Sequence, residues 1–196
     1  MIHRLLRGLA ALLLATVTLV PAATAAENDR TTGERIFWVK DKHHYRSPWY
    51  AGPHRKMIAF GCTAAPYYDP DPRCRRDHGY HHGLDVRMAC GTRLFAGFGG
   101  TVVDPDSAGA LGPAYGSRAF RIRNPRLGMD AVIGHPGRVF VSPGDRVRPG
   151  DLIAHASDDA APDGCHLHIE IRPAGGSYTD AVRPYPYLDL RRVRRS

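Results

Sequence analysis

From Met57 onward the chain is a series of short apolar runs separated by Gly, Pro and Asp, and no long stretch carries apolar residues at helical spacing. The pattern predicts a mainly β domain of short strands and tight turns. Candidate strands are Leu84–Met88, Arg93–Ala96, Gly100–Val103, Arg118–Arg123, Ala131–Ile133, Val139–Val141, Leu152–Ala154 and His166–Arg172. The last is the clearest: Leu167, Ile169 and Ile171 alternate with His166, His168, Glu170 and Arg172. Period-two geometry buries the first set and projects the second from the opposite face. Residues 26–55 start polar and irregular, then cluster Phe37, Trp38, His43, His44, Tyr45, Trp49 and Tyr50 without either period. They read as an N-terminal extension lying on a domain of residues 56–190. Residues 191–196, Arg-Arg-Val-Arg-Arg-Ser, read as a basic, solvated tail.

The first 25 residues change the picture of location. Arg4 and Arg7 precede an apolar run that reaches Val20, and Ala23-Thr24-Ala25 supplies small residues for cleavage, so residues 1–25 read as an export signal. The run is shorter than the ~20 residues that span a bilayer, and no second one follows, which argues against a membrane anchor. Loss of this segment removes two arginines and no acid, so the formal charge of +8 falls by two and the mature chain stays basic. A basic exported protein is drawn to anionic polymers of several kinds, so charge narrows location more than partner. In an oxidising compartment the four cysteines, Cys62, Cys74, Cys90 and Cys165, favour disulfides, with three pairings possible. No spacing is C-x-x-C, which leaves a zinc ribbon or thioredoxin-like redox pair without support.

Two short clusters carry candidate chemistry. His81-His82-Gly83-Leu84-Asp85 and His166-Leu167-His168 each place metal-ligand side chains at even spacing on expected extended chain, hence on one face. Gly83, without a side chain, leaves room for an ion between His81 and Asp85. Two histidines and a carboxylate are a catalytic zinc shell with one position open to water. In such a shell zinc lowers the pKa of water toward ~7 and polarises a carbonyl, which is the chemistry of peptide or ester hydrolysis. Eleven histidines are many for this length. His43, His44, His54 and His155 are assigned to ordinary surface or hydrogen-bonded roles, and His82 to the neighbourhood of the site. Gly79 and Gly83 make a helix carrying His78 and His82 unfavourable.

At these residues the sequence resembles the lysostaphin-type (LytM-like) peptidoglycan endopeptidases. The shared pattern is H-x-G-x-D (His81 to Asp85), G-T-x-x-x-A (Gly91, Thr92, Ala96), an isolated histidine (His135), G-D-x-V-x-x-G (Gly144, Asp145, Val147, Gly150) and H-L-H-apolar-Glu (His166 to Glu170). The resemblance runs from about Met57 to Leu188. It implies a small antiparallel β-sheet domain of the duplicated hybrid motif kind, with zinc held by His81, Asp85 and His168 in a groove across the sheet. It also implies that His166 and His135 are catalytic without binding metal. His166 leaves the same strand face as a ligand, where it could take a proton; His135 could donate to the oxygen that becomes anionic. The departures lie in the groove walls: a long Asp104–Ala114 stretch, Pro136 after His135, and the acidic run Asp158-Asp159-Ala160-Ala161-Pro162-Asp163. Cys62 is expected to pair with Cys74 across a short loop and, by elimination, Cys90 with Cys165.

The function expected is that of a secreted, wall-associated, monomeric Zn2+ endopeptidase. Its partner is the peptide moiety of peptidoglycan, with neither nucleic acid nor stable membrane insertion involved. The first rival is an inactive wall-binding or hydrolase-activating relative, although all five site positions are filled. A biotinyl- or lipoyl-type carrier is excluded because Lys56 is the last lysine in the chain. A metal-buffering or polyanion-binding module leaves the ordered motifs unexplained.

Overall fold

The computed structural model describes residues 36–193, so the expected signal, the start of the extension and residues 194–196 lie outside the described residues. Among the described residues the strands are β1 (His44–Ser47), β2 (Tyr50–Lys56), β3 (Gly61–Thr63), β4 (Gly79–His81), β5 (Leu84–Arg87), β6 (Arg93–Phe95), β7 (Gly100–Val102), β8 (Phe120–Asn124), β9 (Met129–Gly134), β10 (Pro136–Val139), β11 (Arg146–Val147), β12 (Leu152–Ala156), β13 (His166–Pro173) and β14 (Arg191–Arg192). Helix is confined to one turn, α1 (Tyr185–Leu188), and two 3-10 turns. All strand pairs are antiparallel. The main sheet runs β10-β12-β6-β2-β5-β13-β9-β8-β7-β11, with β1 joining β2 to β14; β3 and β4 form a separate ribbon.

Every strand expected from the sequence is present within a few residues, except that the strand placed at Val139–Val141 lies upstream, at Pro136–Val139. Two expectations fail. Residues 44–55, set aside as part of an irregular extension, form β1 and all but the last residue of β2, and β2 sits in the middle of the sheet between β6 and β5. No alternation announces it because the strand changes partner part-way. Tyr50 pairs with Leu94 of β6 while Arg55 and Lys56 pair with β5, and between these lie Gly52, at φ 79°, and Pro53. Proline has no N–H to give a ladder, so the partner change is where it is tolerated. Nor is the start of the basic tail free: Arg191 and Arg192 pair with Arg46 and Tyr45.

The apolar core gathers Leu84, Val86, Met88, Leu94, Ile122, Ile133, Ile153, Leu167, Ile169 and Ile171 on one side of the sheet. Trp49, in the turn between β1 and β2, belongs to it at 1% exposure. Its indole N–H donates to the Tyr187 carbonyl at 3.1 Å. The ring lies where a Cβ on Gly97 would be, 2.2 Å from the indole nitrogen, so glycine is required there. Cys62 pairs with Cys74 and Cys90 with Cys165, with Cα separations of 5.5 and 5.2 Å that suit the bond. The second bridge ties the start of β13 to the loop after β5.

A buried charge cluster fixes the long loop after β7. Arg121, 2% exposed, donates to the carbonyls of Ala108 (2.6 Å), Asp104 and Ser107 (both 3.2 Å) and to the Ser107 hydroxyl (2.9 Å). Its countercharge is Asp130, which also accepts from Arg123 at 2.8 and 2.9 Å and from the Gly175 N–H at 3.0 Å. Burial alone would push the Asp130 carboxyl up, but the Arg123 bonds, the Gly175 N–H and both arginine charges hold it below the usual range. A depressed folded pKa stabilises above the unfolded value of about 4, and that contribution is lost as pH falls through the folded value. Asp130→Asn is therefore expected to lower unfolding free energy by about 3–5 kcal/mol at pH 7, because it leaves Arg121 buried without its countercharge. Urea unfolding should show the gap to wild type shrinking below pH 4; a gap independent of pH would refute the electrostatic account.

Candidate metal centre

The site is set where β13 pairs with β5 and β9. His168 lies directly opposite Asp85 of β5 on one side and Gly134 of β9 on the other. His81 arrives from the end of β4. The segment from His81 to Asp85 is not one extended strand as the spacing suggested: β4 ends at His81, the chain bends at His82 and Gly83, and β5 begins at Leu84. Gly83 leaves room for protein rather than for an ion. A Cβ there would stand 2.8 Å from His168 Cε1 and 2.8 Å from the Ile169 carbonyl oxygen. Gly134 plays the same part on the other flank, where a Cβ would come within 3.0 Å of His168 Cβ.

The three candidate ligands converge. His81 Nε2 is 3.1 Å from His168 Nδ1, His168 Nδ1 is 2.8 Å from Asp85 Oδ1, and His81 Nε2 is 3.3 Å from Asp85 Oδ1. All three residues are buried. The outer nitrogens define the tautomers: His81 Nδ1–H donates to the Ala59 carbonyl at 3.1 Å, and His168 Nε2–H to Glu170 Oε1 at 3.0 Å. Neutral rings so held point two bare lone pairs and a carboxylate oxygen at one another. A proton or a cation has to occupy the space between them. Ligands ~2.0–2.1 Å from a tetrahedral zinc ion stand about 3.3 Å apart, close to the triangle seen here. The residues therefore fit zinc in number, donor type and spacing. Without metal, burial opposes charge on His168, but Asp85 and Glu170 outweigh it and push the imidazole up to about 10. Asp85 is held well below the carboxylate range, against its own burial, by His81, His166 and His168.

An outer layer holds this triangle in place. Glu170 accepts from His168, from Arg172 Nε at 2.6 Å and from the Tyr115 hydroxyl at 2.8 Å, while Arg172 Nη2 donates to the same hydroxyl at 2.7 Å. The face of β13 that was expected to project outward is thus buried as completely as the apolar face, because the loop ending in Tyr115 lies over it. Glu170 and Arg172 were legible from their alternation with Ile169 and Ile171; Tyr115 gave no signal, since nothing in a long loop marks which residue folds back.

Beside the triangle is a cleft of about 220 Å³ lined by Tyr67, Tyr68, Asp85, Ala114, His135, His166 and residues 160–163. His166 and His135 face each other across it, ring centroids 4.6 Å apart. His166 Nδ1–H donates to the Gly164 carbonyl at 2.8 Å, and its Nε2 lies 3.7 Å from Asp85 Oδ1. His135 Nδ1–H donates to the Asp159 carbonyl at 2.8 Å. Burial, with His166 and His168 nearby, pulls His135 down to about 4, so it is neutral near pH 7. It adopts φ 55°, uncommon for a residue with a side chain, and is pinned there by its N–H to the Tyr115 carbonyl and by its own carbonyl, which accepts from the N–H and hydroxyl of Ser157. His43, His54 and His155, assigned ordinary roles, stand outside this cluster: His43 bonds Asp41, His54 bonds the Ala51 carbonyl and His155 packs on Phe140.

The family model of peptidase family M23 matches residues 79–181, more than half of the chain and all five of these positions. The chain belongs to peptidase family M23. No curated protein matches it. Among solved structures, the M23 fold here is similar to the catalytic domain of the antimicrobial peptidase lysostaphin from Staphylococcus simulans (22% identity, TM-score 0.52), covering 68% of this chain and 91% of that one. It is also similar to LytU (24%, TM-score 0.56; 69% and 87% covered) and to a zinc containing peptidase from Vibrio cholerae (18%, TM-score 0.51; 71% and 39% covered). At these identities the likeness shows the fold, a nearly all antiparallel β-sheet as the sequence predicted.

The close packing at Gly83 can be checked by Gly83→Ala, which should lower stability by about 1–3 kcal/mol through overpacking and, by displacing the His168 ring, weaken any metal binding at the candidate site. Gly112→Ala is the control, with nothing within 4 Å of the added methyl. Melting temperature and metal content that match between the two variants would contradict the packing argument.

Proposed function

We propose that this M23 peptidase is an exported zinc endopeptidase that hydrolyses peptide bonds in the stem peptides or cross-bridges of bacterial peptidoglycan. The convergence of His81 Nε2, Asp85 Oδ1 and His168 Nδ1 on one point carries the reading. It is supported by the family and by two structural neighbours, an antimicrobial peptidase and a zinc containing peptidase. Among the described residues no helix is long and apolar enough to cross a membrane; the apolar segment before Val20 supports export.

In this reading His81, Asp85 and His168 hold zinc, which when bound polarises a carbonyl and lowers the pKa of water toward ~7. The chain's own residues do the rest. His166 presents an unprotonated Nε2 toward the triangle, in reach of a proton released by attacking water. Asp163 Oδ1 lies 3.5 Å from its Nδ1, and Asp85 Oδ1 lies 3.7 Å from its Nε2. His135 is altered from the role the sequence suggested. Its Nδ1 proton is committed to the Asp159 carbonyl and the ring is neutral, so its Nε2 accepts and can donate to a developing oxyanion only after receiving a proton. The Tyr67 and Tyr68 side of the cleft and the 160–163 loop form walls that orient an extended peptide.

One zinc per chain is expected by metal analysis, lost in His81→Ala and in His168→Ala. His166→Ala should keep the metal and lose about 10²–10⁴-fold in rate. Zinc retained by both ligand variants would sink the assignment. Wall sacculi incubated with the protein should gain new amino and carboxyl ends without new reducing sugar, and a chelator should stop the gain. New reducing ends would mean a glycosidase, and binding without cleavage an inactive relative.

A further inference from the structure

The acidic run 158–163 touches the chemistry above through the Asp159 carbonyl at His135 and through Asp163 beside His166, and its three carboxylates have different fates. Asp158 is exposed beside the Cys90–Cys165 bridge. Asp159 is satisfied: its Oδ2 accepts from the N–H and the hydroxyl of Ser117, both at 2.8 Å. Asp163 is buried, 9% exposed, and lines the cleft. Its nearest partner is His166 Nδ1 at 3.5 Å, but the proton on that nitrogen goes to the Gly164 carbonyl at 2.8 Å. The nearest guanidinium, Arg87, directs Nη1 to the Cys165 carbonyl at 2.6 Å. The backbone N–H of Asp163 itself donates to the carboxylate, and beyond that no side chain among the described residues donates to it, which leaves acceptor capacity for a ligand at a position largely withdrawn from water.

The surroundings state what donor would suit. Tyr67 and Tyr68 line the same cleft and offer aromatic surface to a cation. With Oδ1 turned to His166, the carboxylate has one oxygen left for a ligand, which favours a compact ammonium over a guanidinium that binds through two. We infer that Asp163 is a specificity-determining residue that binds a primary ammonium group of the substrate, selecting peptides with a free amine near the bond cut. The inference rests on the hydrolase reading above. Asp163 stands one imidazole ring away from Asp85, a gap spanned by no more than about three extended residues at ~3.3–3.6 Å each, so the amine belongs to the scissile residues or their immediate neighbours.

The test compares native sacculi with sacculi whose amines have been acetylated, using the zinc-loaded wild type and Asp163→Asn and reading initial rates of new carboxyl ends. Wild type should cut native sacculi about ten- to a hundredfold faster than acetylated ones, as expected for loss of one hydrogen bond to a charged group, and the ratio should fall to about one in Asp163→Asn. Because each protein is scored as a ratio, a general loss of activity or a change in wall charge cancels. Equal wild-type rates on both substrates overturn the amine preference alone, without any variant being needed. A ratio unchanged in Asp163→Asn shows that selection lies elsewhere and overturns the assignment of Asp163. Wild type that cuts neither substrate overturns the hydrolase reading, and this inference with it.

Discussion

Two imidazole nitrogens and a carboxylate oxygen, all acceptors, facing one another within 3.3 Å inside the protein form the constraint on which the rest of this structure depends. Left empty, such a triangle would spread by repulsion or take up a proton. It persists because each ring is held from behind, His81 by a backbone carbonyl and His168 by Glu170, and because the sheet register places His168 opposite Asp85. Holding ligand rings through their second nitrogen fixes both tautomer and direction before a metal arrives. The glycines at 83 and 134 belong to the same design, giving the His168 ring its only space.

The polar face of β13 extends this logic along the strand. His166, His168, Glu170 and Arg172 follow one another at alternate positions, all buried, and with Asp163 at one end they form a file in which acids and potential cations are interleaved. His168, Glu170 and Arg172 offset one another's desolvation, and deletion of any of these three leaves a charge uncompensated. The buried Arg121–Asp130–Arg123 cluster does the equivalent for the covering loop, whose end supplies Tyr115 to Glu170. Position at the candidate metal centre is therefore set by interactions one and two layers away from it.

This layering explains what the sequence made legible. Period-two alternation in His166–Arg172 disclosed the strand, its apolar face and the two histidines, because a strand's own residues set its pattern. The H-x-G-x-D segment disclosed that Asp85 and His81 belong together for a partly mistaken reason: the residues meet through a bend, not along one strand, and Gly83 serves His168. β2 stayed hidden because Gly52 and Pro53 interrupt its pairing where it changes neighbours, so no run of β-branched residues or alternation accumulates. Trp49 was grouped with an extension when it is in fact a core residue, since an aromatic in an aperiodic stretch has no marked inward side. Tyr115 and the cleft-facing orientation of Asp163 depend on how loops return to the sheet, which spacing along the chain does not encode.

The cleft divides the work between sheet and loops: the sheet sets the candidate ligands and the loops set the walls. The ligand triangle and both outer histidines hang on β4, β5, β13 and the end of β9, elements whose register leaves little freedom: a slip of one residue would turn His168 to the apolar core. The walls have no such restraint. One comes from the loop that carries Tyr67 and Tyr68, another from residues 158–163, clamped at Cys165 by a disulfide to Cys90 and at Asp159 by Ser117. Between these two clamps Asp163 enters the cleft. Rigid attachment at both ends gives a cleft-lining residue a fixed position, which is what discrimination among chemically similar ligands requires.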